Sequence, residues 1–519
     1  MQRPKLHSAV PLLLAGGCGA ASVLAFAPFG WFPLIAITLA ALYALLMRDA
    51  ESLSERRENR LTLAKKGAAI GGAFGLGFFL AGVSWVYVSL SVFGGMAAPL
   101  AGLATLLFCA FLSLYPALVG AVFVRCRPPD AVQRITLFAA LWATTEWLRG
   151  WIFTGFPWLA VGYAQTPPSP LAGYAPIIGV FGLSFLTAAT AAALGEMTLA
   201  WRHNTRCGAR TTYRFRLLGL AAFVVVLWAG GGVLREVRWT HPSGEPVTVA
   251  LLQGNVAQDL KWRPERFYES LRTYYELARD NPAQLTLLPE TALPAFLDQI
   301  PGEYIEAMKA LAERPRGDVV FGIPVRDESG YTNSAVSIGH SAPQRYNKAH
   351  LVPFGEFVPP GFGWFLKLAS IPMSDFTPGS LPQSPMAIGG QHLALNICYE
   401  DAFGEEIIRA LPEATLLANV SNVAWFGDSL APQQHLQIAR LRALETGRVM
   451  LRATNTGMTA IILPDGRVKT ALAPFTRGAL RGVVQGHTGA TPYVRWGNWL
   501  VVAFALVLIG VILLRARAR

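Results

Sequence analysis

Residues 393–403 read LALNICYEDAF. An apolar run from Leu393 to Ile397 meets Cys398, and Tyr399, Glu400 and Asp401 then lead into a helix expected over Gly404–Leu411. The run alternates poorly and is rich in Leu, Ala and Ile, as a strand covered on both faces would be. A cysteine where such a strand meets a helix is well placed for a nucleophile. Taken alone, though, a buried cysteine more often serves as a small hydrophobe.

The flanking sequence alternates strand and helix patterns. Strands are expected at Val247–Gln253, Leu285–Leu288, Asp318–Val325, Ser334–Ile338, Thr415–Val420, Val449–Ala453 and Thr459–Leu463. Helices are expected at Pro264–Arg279, Tyr304–Leu311 and Gln433–Thr446. That order predicts an α/β layered domain with functional residues at strand ends. Residues 340–390 are dense in Pro, Gly and Phe, and the stretch is long for a structureless connection, which marks it as functional.

The chain as a whole does not have a soluble composition. Of its 519 residues 53% are hydrophobic and 15% charged, and the mean hydropathy is +0.38. Eight apolar spans are read at about 8–27, 31–47, 68–90, 98–124, 135–152, 173–201, 217–234 and 497–514. The last would be about 27 Å long, enough for a hydrocarbon core. The organisation expected is a seven-helix membrane domain (1–234), a soluble domain (235–496), and a C-terminal membrane helix with a basic tail (497–519). Ala25-Phe26-Ala27 mimics a cleavage site, but Pro28 follows it, so the first span is read as a retained helix.

Charge then orients the spans. Loops 48–67, 125–134 and 202–216 are rich in Lys and Arg, whereas 28–30, 91–97 and 153–172 contain none. By the positive-inside rule both termini are cytoplasmic and residues 235–496 face the other side of the membrane. Arg149 is the one discordant charge; with Glu146 it forms an i, i+3 pair at a membrane boundary. The net charge of +12 resides largely in these short loops, which argues against nucleic acid as a partner. Cys398 is the only one of five cysteines within 235–496, so that region holds no internal disulfide. Metal-ligand spacings and phosphate-binding loops are absent from the sequence, and no metal or cofactor is expected.

Three segments carry the chemistry. LLPETALP places Glu290 just after a strand, RYNKAHLVPFGEFVP offers Lys348 and Glu356, and NICYEDAF offers Cys398. A free thiol has a pKa near about 8.5 and is mostly protonated at neutral pH. A neighbouring carboxylate can accept its proton, and a lysine can stabilise the oxyanion formed when sulfur attacks a carbonyl. Spacing alone does not link the three.

Resemblance does. Residues 247–485 resemble the nitrilase superfamily, which uses a Glu-Lys-Cys triad on an αββα sandwich. With helices on both sides, the chain is similar to the family of bacterial apolipoprotein N-acyltransferases. The motifs carrying the likeness are LKW (260–262), YNKAHLVPFGEFVP (346–359), CYE (398–400), NVAWFGDS (422–429), RATNTG (452–457) and FPWL (156–159). Val423 departs from it, at a position where an acidic residue is common in the family.

The resemblance implies a polytopic α-helical membrane bundle carrying a nitrilase-like αββα domain outside the cytoplasm, in a bacterial inner membrane. Glu290 would be the general base, Lys348 the oxyanion stabiliser and Cys398 the nucleophile. Glu356, Tyr399 and Glu400 would support them, and Trp262, Trp425 and Trp158 would be substrate-binding walls. A phospholipid, typically phosphatidylethanolamine, would acylate Cys398. The α-amine of a diacylglyceryl cysteine on an apolipoprotein would then accept the chain in a ping-pong scheme, the enzyme acting as a monomer. The alternatives are a membrane-tethered amidase and a non-catalytic lipid transporter or receptor with a degenerate nitrilase domain.

Overall fold

The structure, a computed structural model, describes residues 6–54, 59–207, 210–261, 263–328, 330–359, 361 and 375–517. The chain divides into two compact units. One comprises Met1–Trp85, Gly102–Val237 and Asn498–Arg519, the other Val86–Ala101 and Arg238–Gly497.

The first unit is helical: α1 (Leu6–Ser22), α2 (Pro33–Ser54), α3 (Arg60–Val83), α4 (Ala98–Cys126), α5 (Ala131–Arg149), α6 (Ala175–Cys207), α7 (Arg210–Leu234) and a C-terminal helix, Trp499–Arg517. Five helices among the described residues are long and apolar enough to cross a membrane: Arg60–Val83, Ala98–Cys126, Pro170–Arg202, Arg214–Leu234 and Trp499–Ala516. Helices also occupy the other three expected spans. Two of these are shorter apolar helices, and α5 carries Arg134, Glu146 and Arg149. The expected span at 68–90 is corrected: α3 stops at Val83, and Trp85 Nε1 donates to the Gly82 carbonyl (3.1 Å), satisfying an acceptor at the helix end. The turns Val86–Val88 and Ser89–Phe93 that follow belong to the second unit.

Small residues let the helices approach closely. A Cβ on Gly77 would lie 2.0 Å from the Gly16 carbonyl, so only glycine permits this crossing of α1 and α3. The fully buried Glu196 on α6 accepts hydrogen bonds from Tyr43 (2.5 Å) and Arg134 (2.7 and 2.8 Å) and pairs with Arg216. Three further helices are thereby tied to α6 through one carboxylate.

Glu146 and Arg149 serve the irregular stretch after α5. Glu146 accepts from Trp142 Nε1 (2.9 Å) and the Val161 N–H (2.9 Å), and Arg149 donates to the carbonyls of Phe156 (2.5 Å) and Trp158 (2.6 Å). Non-helical backbone in an apolar setting needs such partners. The requirement accounts for the discordant arginine.

The second unit holds two six-stranded sheets. The first has the order β12-β1-β2-β3-β4-β5 and the second β11-β10-β9-β8-β7-β6. The strands are β1 (His241–Gln253), β2 (Leu285–Leu287), β3 (Asp318–Asp327), β4 (Gly330–Gly339), β5 (Gln344–Asn347), β6 (Met386–Ile388), β7 (Gln391–Ile397), β8 (Leu416–Ser421), β9 (Val449–Thr454), β10 (Ala460–Ile462), β11 (Val468–Ala471) and β12 (Gly478–Thr488). Leu393, Leu395 and Ile397 of β7 pack between the sheets against Val249, Leu251 and Leu287. Ala394 of β7 joins Leu417, Met450 and helix residues on the opposite face. From Leu393 to Ile397 β7 is therefore buried on both faces, with Ala394 and the hydrogen-bonded Asn396 on the helix side.

Helices α8 (Phe267–Asp280) and α9 (Gly302–Glu313) cover the first sheet, and α10 (Ala431–Thr446) covers the second. The layers are αββα. The helix expected at Gly404–Leu411 is present as a short α-helix, Gly404–Ile407, that tightens into a 3-10 turn, Ile408–Ala410, and a separate 3-10 segment, Cys398–Ala402, precedes it. Within 340–390 the structure adds β5 and β6. Residues 360 and 362–374 of that stretch lie outside the described residues.

Candidate active site

Glu290 follows β2 in the turn Pro289–Glu290–Thr291. The turn lies against Gly322 of β3, where a Cβ would fall 2.5 Å from Glu290 Cα. Glycine at 322 is what lets the glutamate sit there. The carboxylate is 7% exposed and receives three donors: Asn333 Nδ2 (2.8 Å) and Lys348 Nζ (3.2 Å) on Oε1, and the Asn422 N–H (2.9 Å) on Oε2. Burial opposes its charge, but the Lys348 ammonium and these hydrogen bonds outweigh burial and hold the carboxyl below its ordinary range. Beneath the turn, the buried Lys261 donates to Thr291 Oγ1 (2.7 Å) and the Glu290 carbonyl (3.4 Å). Burial lowers the Lys261 ammonium to about 7, against the pull of Glu290.

Lys348 follows β5. Its N–H donates to the Asn333 carbonyl (2.8 Å), and its carbonyl accepts from the Gly379 N–H (2.8 Å). The ammonium is 1% exposed and bridges Glu290 and Glu356 Oε1 (2.8 Å). Burial works against this cation, but the two carboxylates reverse the effect and raise its pKa. Glu356 also accepts from Asn333 Nδ2 (2.7 Å) and the Val352 N–H (2.9 Å). One amide and one ammonium thus each bridge the same two carboxylates.

Cys398 stands at the end of β7 with φ at 54°, a left-handed backbone that a side-chain-bearing residue adopts only when its surroundings enforce it. The enforcing groups can be named. The Cys398 carbonyl accepts from Asn419 Nδ2 (2.9 Å) and His435 Nε2 (3.2 Å). His435 Nε2 also donates to the fully buried Asp401 (2.7 Å), which accepts from Arg452 (2.8 Å). Burial lowers the His435 pKa, favouring the neutral ring, and these contacts place its proton on Nε2.

Glu400 closes the turn from the other side. It accepts from the N–H groups of Ile397 (2.6 Å), Ala349 (2.7 Å) and His350 (3.0 Å) and from Tyr346 Oη (3.0 Å). The lysine segment is thereby clamped to the cysteine turn. Burial pushes the Glu400 carboxyl up to about 7 against these bonds. The thiol is 9% exposed, and burial with the Glu290 carboxylate drives its pKa up to about 12, opposed by the Lys348 ammonium. At neutral pH the resting pair is therefore a thiol and a carboxylate.

The structure brings Glu290, Lys348, Glu356 and Cys398 into one electrostatically coupled cluster. Tyr399 is buried, its ring against His350 (5.9 Å) and Phe403 (5.1 Å). His350 pairs with Glu406 (2.9 Å) and stacks on Phe403. Trp425 is half-buried in the turn Val423–Phe426; its carbonyl accepts from Ser89 Oγ (2.8 Å) and its ring meets Phe93 edge-on. Trp158 belongs to the helical unit, where its ring is buried beside Trp85 (5.3 Å) and Phe156 (6.2 Å). As placed, it packs in the helical core and presents no open wall. Trp262 lies outside the described residues.

Sequence reasoning missed Asn333 and Gly322 as parts of the site, and Lys261 and Asn422 entered only within motifs. Their signal is faint: Asn333 is one of several polar residues along β4, and only the partner across the fold gives it meaning.

Comparisons with known proteins follow the same division. A family profile described as "Apolipoprotein N-acyltransferase N-terminal domain" matches residues 18–193, and one described as "Carbon-nitrogen hydrolase" matches residues 248–493. A curated apolipoprotein N-acyltransferase of Nitrosomonas europaea is 48% identical over 97% of this chain and 96% of its own length. One from Chromobacterium violaceum is 45% identical over 97% of this chain and 93% of its own. Among solved structures, a CN-hydrolase superfamily protein from Xanthomonas campestris aligns at a TM-score of 0.36 and 17% identity, over 46% of this chain and 91% of that one.

Proposed function

The chain belongs to the apolipoprotein N-acyltransferase family, and from that premise we propose that it moves an acyl chain from a membrane phospholipid, through a Cys398 thioester, to the α-amine of a diacylglyceryl cysteine on an apolipoprotein. The observation that carries this reading is the buried cluster in which Lys348 bridges Glu290 and Glu356 while its charge and that of Glu290 act on the Cys398 thiol.

The resting charges suit the first step. Glu290 is held as a carboxylate and Cys398 as a thiol, so Glu290 accepts the sulfur proton as the thiolate attacks the ester carbonyl. The Lys348 ammonium and the Tyr399 backbone N–H stabilise the tetrahedral oxyanion. On collapse the C–O bond breaks, the lysophospholipid oxygen takes the proton from Glu290, and the acyl group remains on sulfur. In the second half the amine attacks the thioester and Glu290 takes its proton. The C–S bond breaks, and the departing thiolate regains that proton from Glu290. An amide and the free thiol result, and the proton count closes over the cycle. Glu356, with Asn333, keeps Lys348 aimed between the two carboxylates.

The eight helices each span the membrane, with the termini on the cytoplasmic side of the inner membrane and residues 235–496 on the periplasmic side. The alternation of basic and uncharged loops supports this arrangement. The enzyme works as a monomer.

The test uses the full-length protein in detergent with fluorescent phosphatidylethanolamine. A hydroxylamine-sensitive adduct on Cys398, discharged by a diacylglyceryl lipopeptide amine, is the expected result. An equal adduct on Cys398→Ser, or discharge by water alone, would refute the reading.

A further inference from the structure

The end of β8 addresses both reacting groups. Strands β7 and β8 run parallel with Ile397 beside Val420, so Cys398 and Ser421 are the next residues along each strand. The Asn422 N–H binds Glu290 Oε2 (2.9 Å). The side chain just before it, Ser421, is fully buried. Its Oγ has no hydrogen-bond partner among the described residues, and it lies within range of the Cys398 side chain, where its effect favours the charged form. A buried hydroxyl left without a resting partner is costly and calls for a reason.

We propose that Ser421 is a further catalytic residue: its hydroxyl donates a hydrogen bond to the Cys398 sulfur whenever that sulfur carries negative charge. This rests on Cys398 being the acyl-carrying nucleophile. Sulfur is a poor acceptor as a neutral thiol or thioester and a good one as a thiolate. The bond therefore strengthens at two moments. It forms as Glu290 removes the thiol proton and the C–S bond is made, and again as the amine displaces sulfur and the C–S bond breaks. In both, the Ser421 proton stays on oxygen. An interaction present mainly in the charged states lowers barriers without tightening substrate binding. Lys348 already serves two carboxylates, and Ser421 supplies a donor dedicated to sulfur.

The experiment compares the full-length protein with Ser421→Ala and Ser421→Thr. Acylation by fluorescent phosphatidylethanolamine and discharge by a lipopeptide amine are measured separately. Thiol alkylation by iodoacetamide is followed against pH. Ser421→Ala should slow each half-reaction by about 10-fold or more and move the alkylation profile up by about half to one pH unit. Its melting temperature should hold or rise, because a buried hydroxyl without a partner is removed. Ser421→Thr, which keeps the hydroxyl, should stay within about 3-fold of the parent. Ser421→Ala with parental rates or a parental alkylation profile would overturn the proposal, as would equal losses in both variants. A parent that forms no thioester on Cys398 would instead overturn the assignment of the nucleophile, so the two failures are distinct.

Discussion

Replacing Asn333 with alanine isolates the electrostatics of the site. The Asn333 amide sends one N–H to Glu290 Oε1 (2.8 Å) and the other to Glu356 Oε1 (2.7 Å), and its own buried Oδ1 has no hydrogen-bond partner among the described residues. The side chain is thus committed to the two carboxylates at the expense of its acceptor. A hydrogen bond to a charged group contributes about 1.5–3 kcal/mol, and one to the neutral acid about 0.5–1.5 kcal/mol. The difference, about 1–1.5 kcal/mol, corresponds to about one pKa unit.

The sign follows from the depressed carboxyl. Glu290 has a folded pKa below its ordinary value, so the base form is present above that pKa and is lost as pH falls through it. Asn333→Ala leaves Lys348 and the Asn422 N–H in place but raises this pKa. The acid limb of single-turnover acylation should therefore move up by about one pH unit, with the rate at about pH 8 within a few-fold of the parent. Thioester formation from fluorescent phosphatidylethanolamine, followed from about pH 4 to 8, reads this directly. An acid limb that stays within about 0.3 unit of the parent's, or a uniform loss at every pH, would refute the reasoning.

Other consequences are equally open to measurement. Glu290→Gln removes the base while keeping the shape, and acylation should fall by about 100-fold or more; unchanged kinetics would take Glu290 out of that role. Gly322→Ala puts a Cβ 2.5 Å from Glu290 Cα and 2.7 Å from the Pro289 carbonyl. The displaced turn should cost about 100-fold in acylation, and parental rates would show that Gly322 does not set the turn. In Glu400→Gln an NH2 must face either the Ala349 and His350 N–H pair or the Ile397 N–H and Tyr346 hydroxyl. Loss of those bonds should destabilise the second unit by about 2–5 kcal/mol in denaturant unfolding, and a parental midpoint would count against the clamp.

Much of the local structure was legible in the chain. The doubly covered β7, the neighbouring strands of the second sheet and helices α8 to α10 were marked by pattern, because burial dictates side-chain type at each step along a strand or helix. The apolar helices of the first unit were marked in the same way. Strands β5, β6, β11 and β12 were not: three are short, and β12 is rich in glycine with exposed positions, so pairing rather than composition makes them strands. The end of α3 at Val83 was also missed, since apolar residues continue beyond it.

By itself the sequence determined that one segment is a doubly covered strand ending in a cysteine. It also determined that residues 235–496 hold no second cysteine and that basic loops alternate with uncharged ones. These are properties of residue type and order. The tertiary structure alone decided that Lys348 lies between Glu290 and Glu356, that Asn333 bridges the same pair, and that the Asn422 N–H binds the other oxygen of Glu290. These contacts join residues up to 132 positions apart. Their strength comes from exclusion of water around groups that only folding brings together, and no local pattern encodes that.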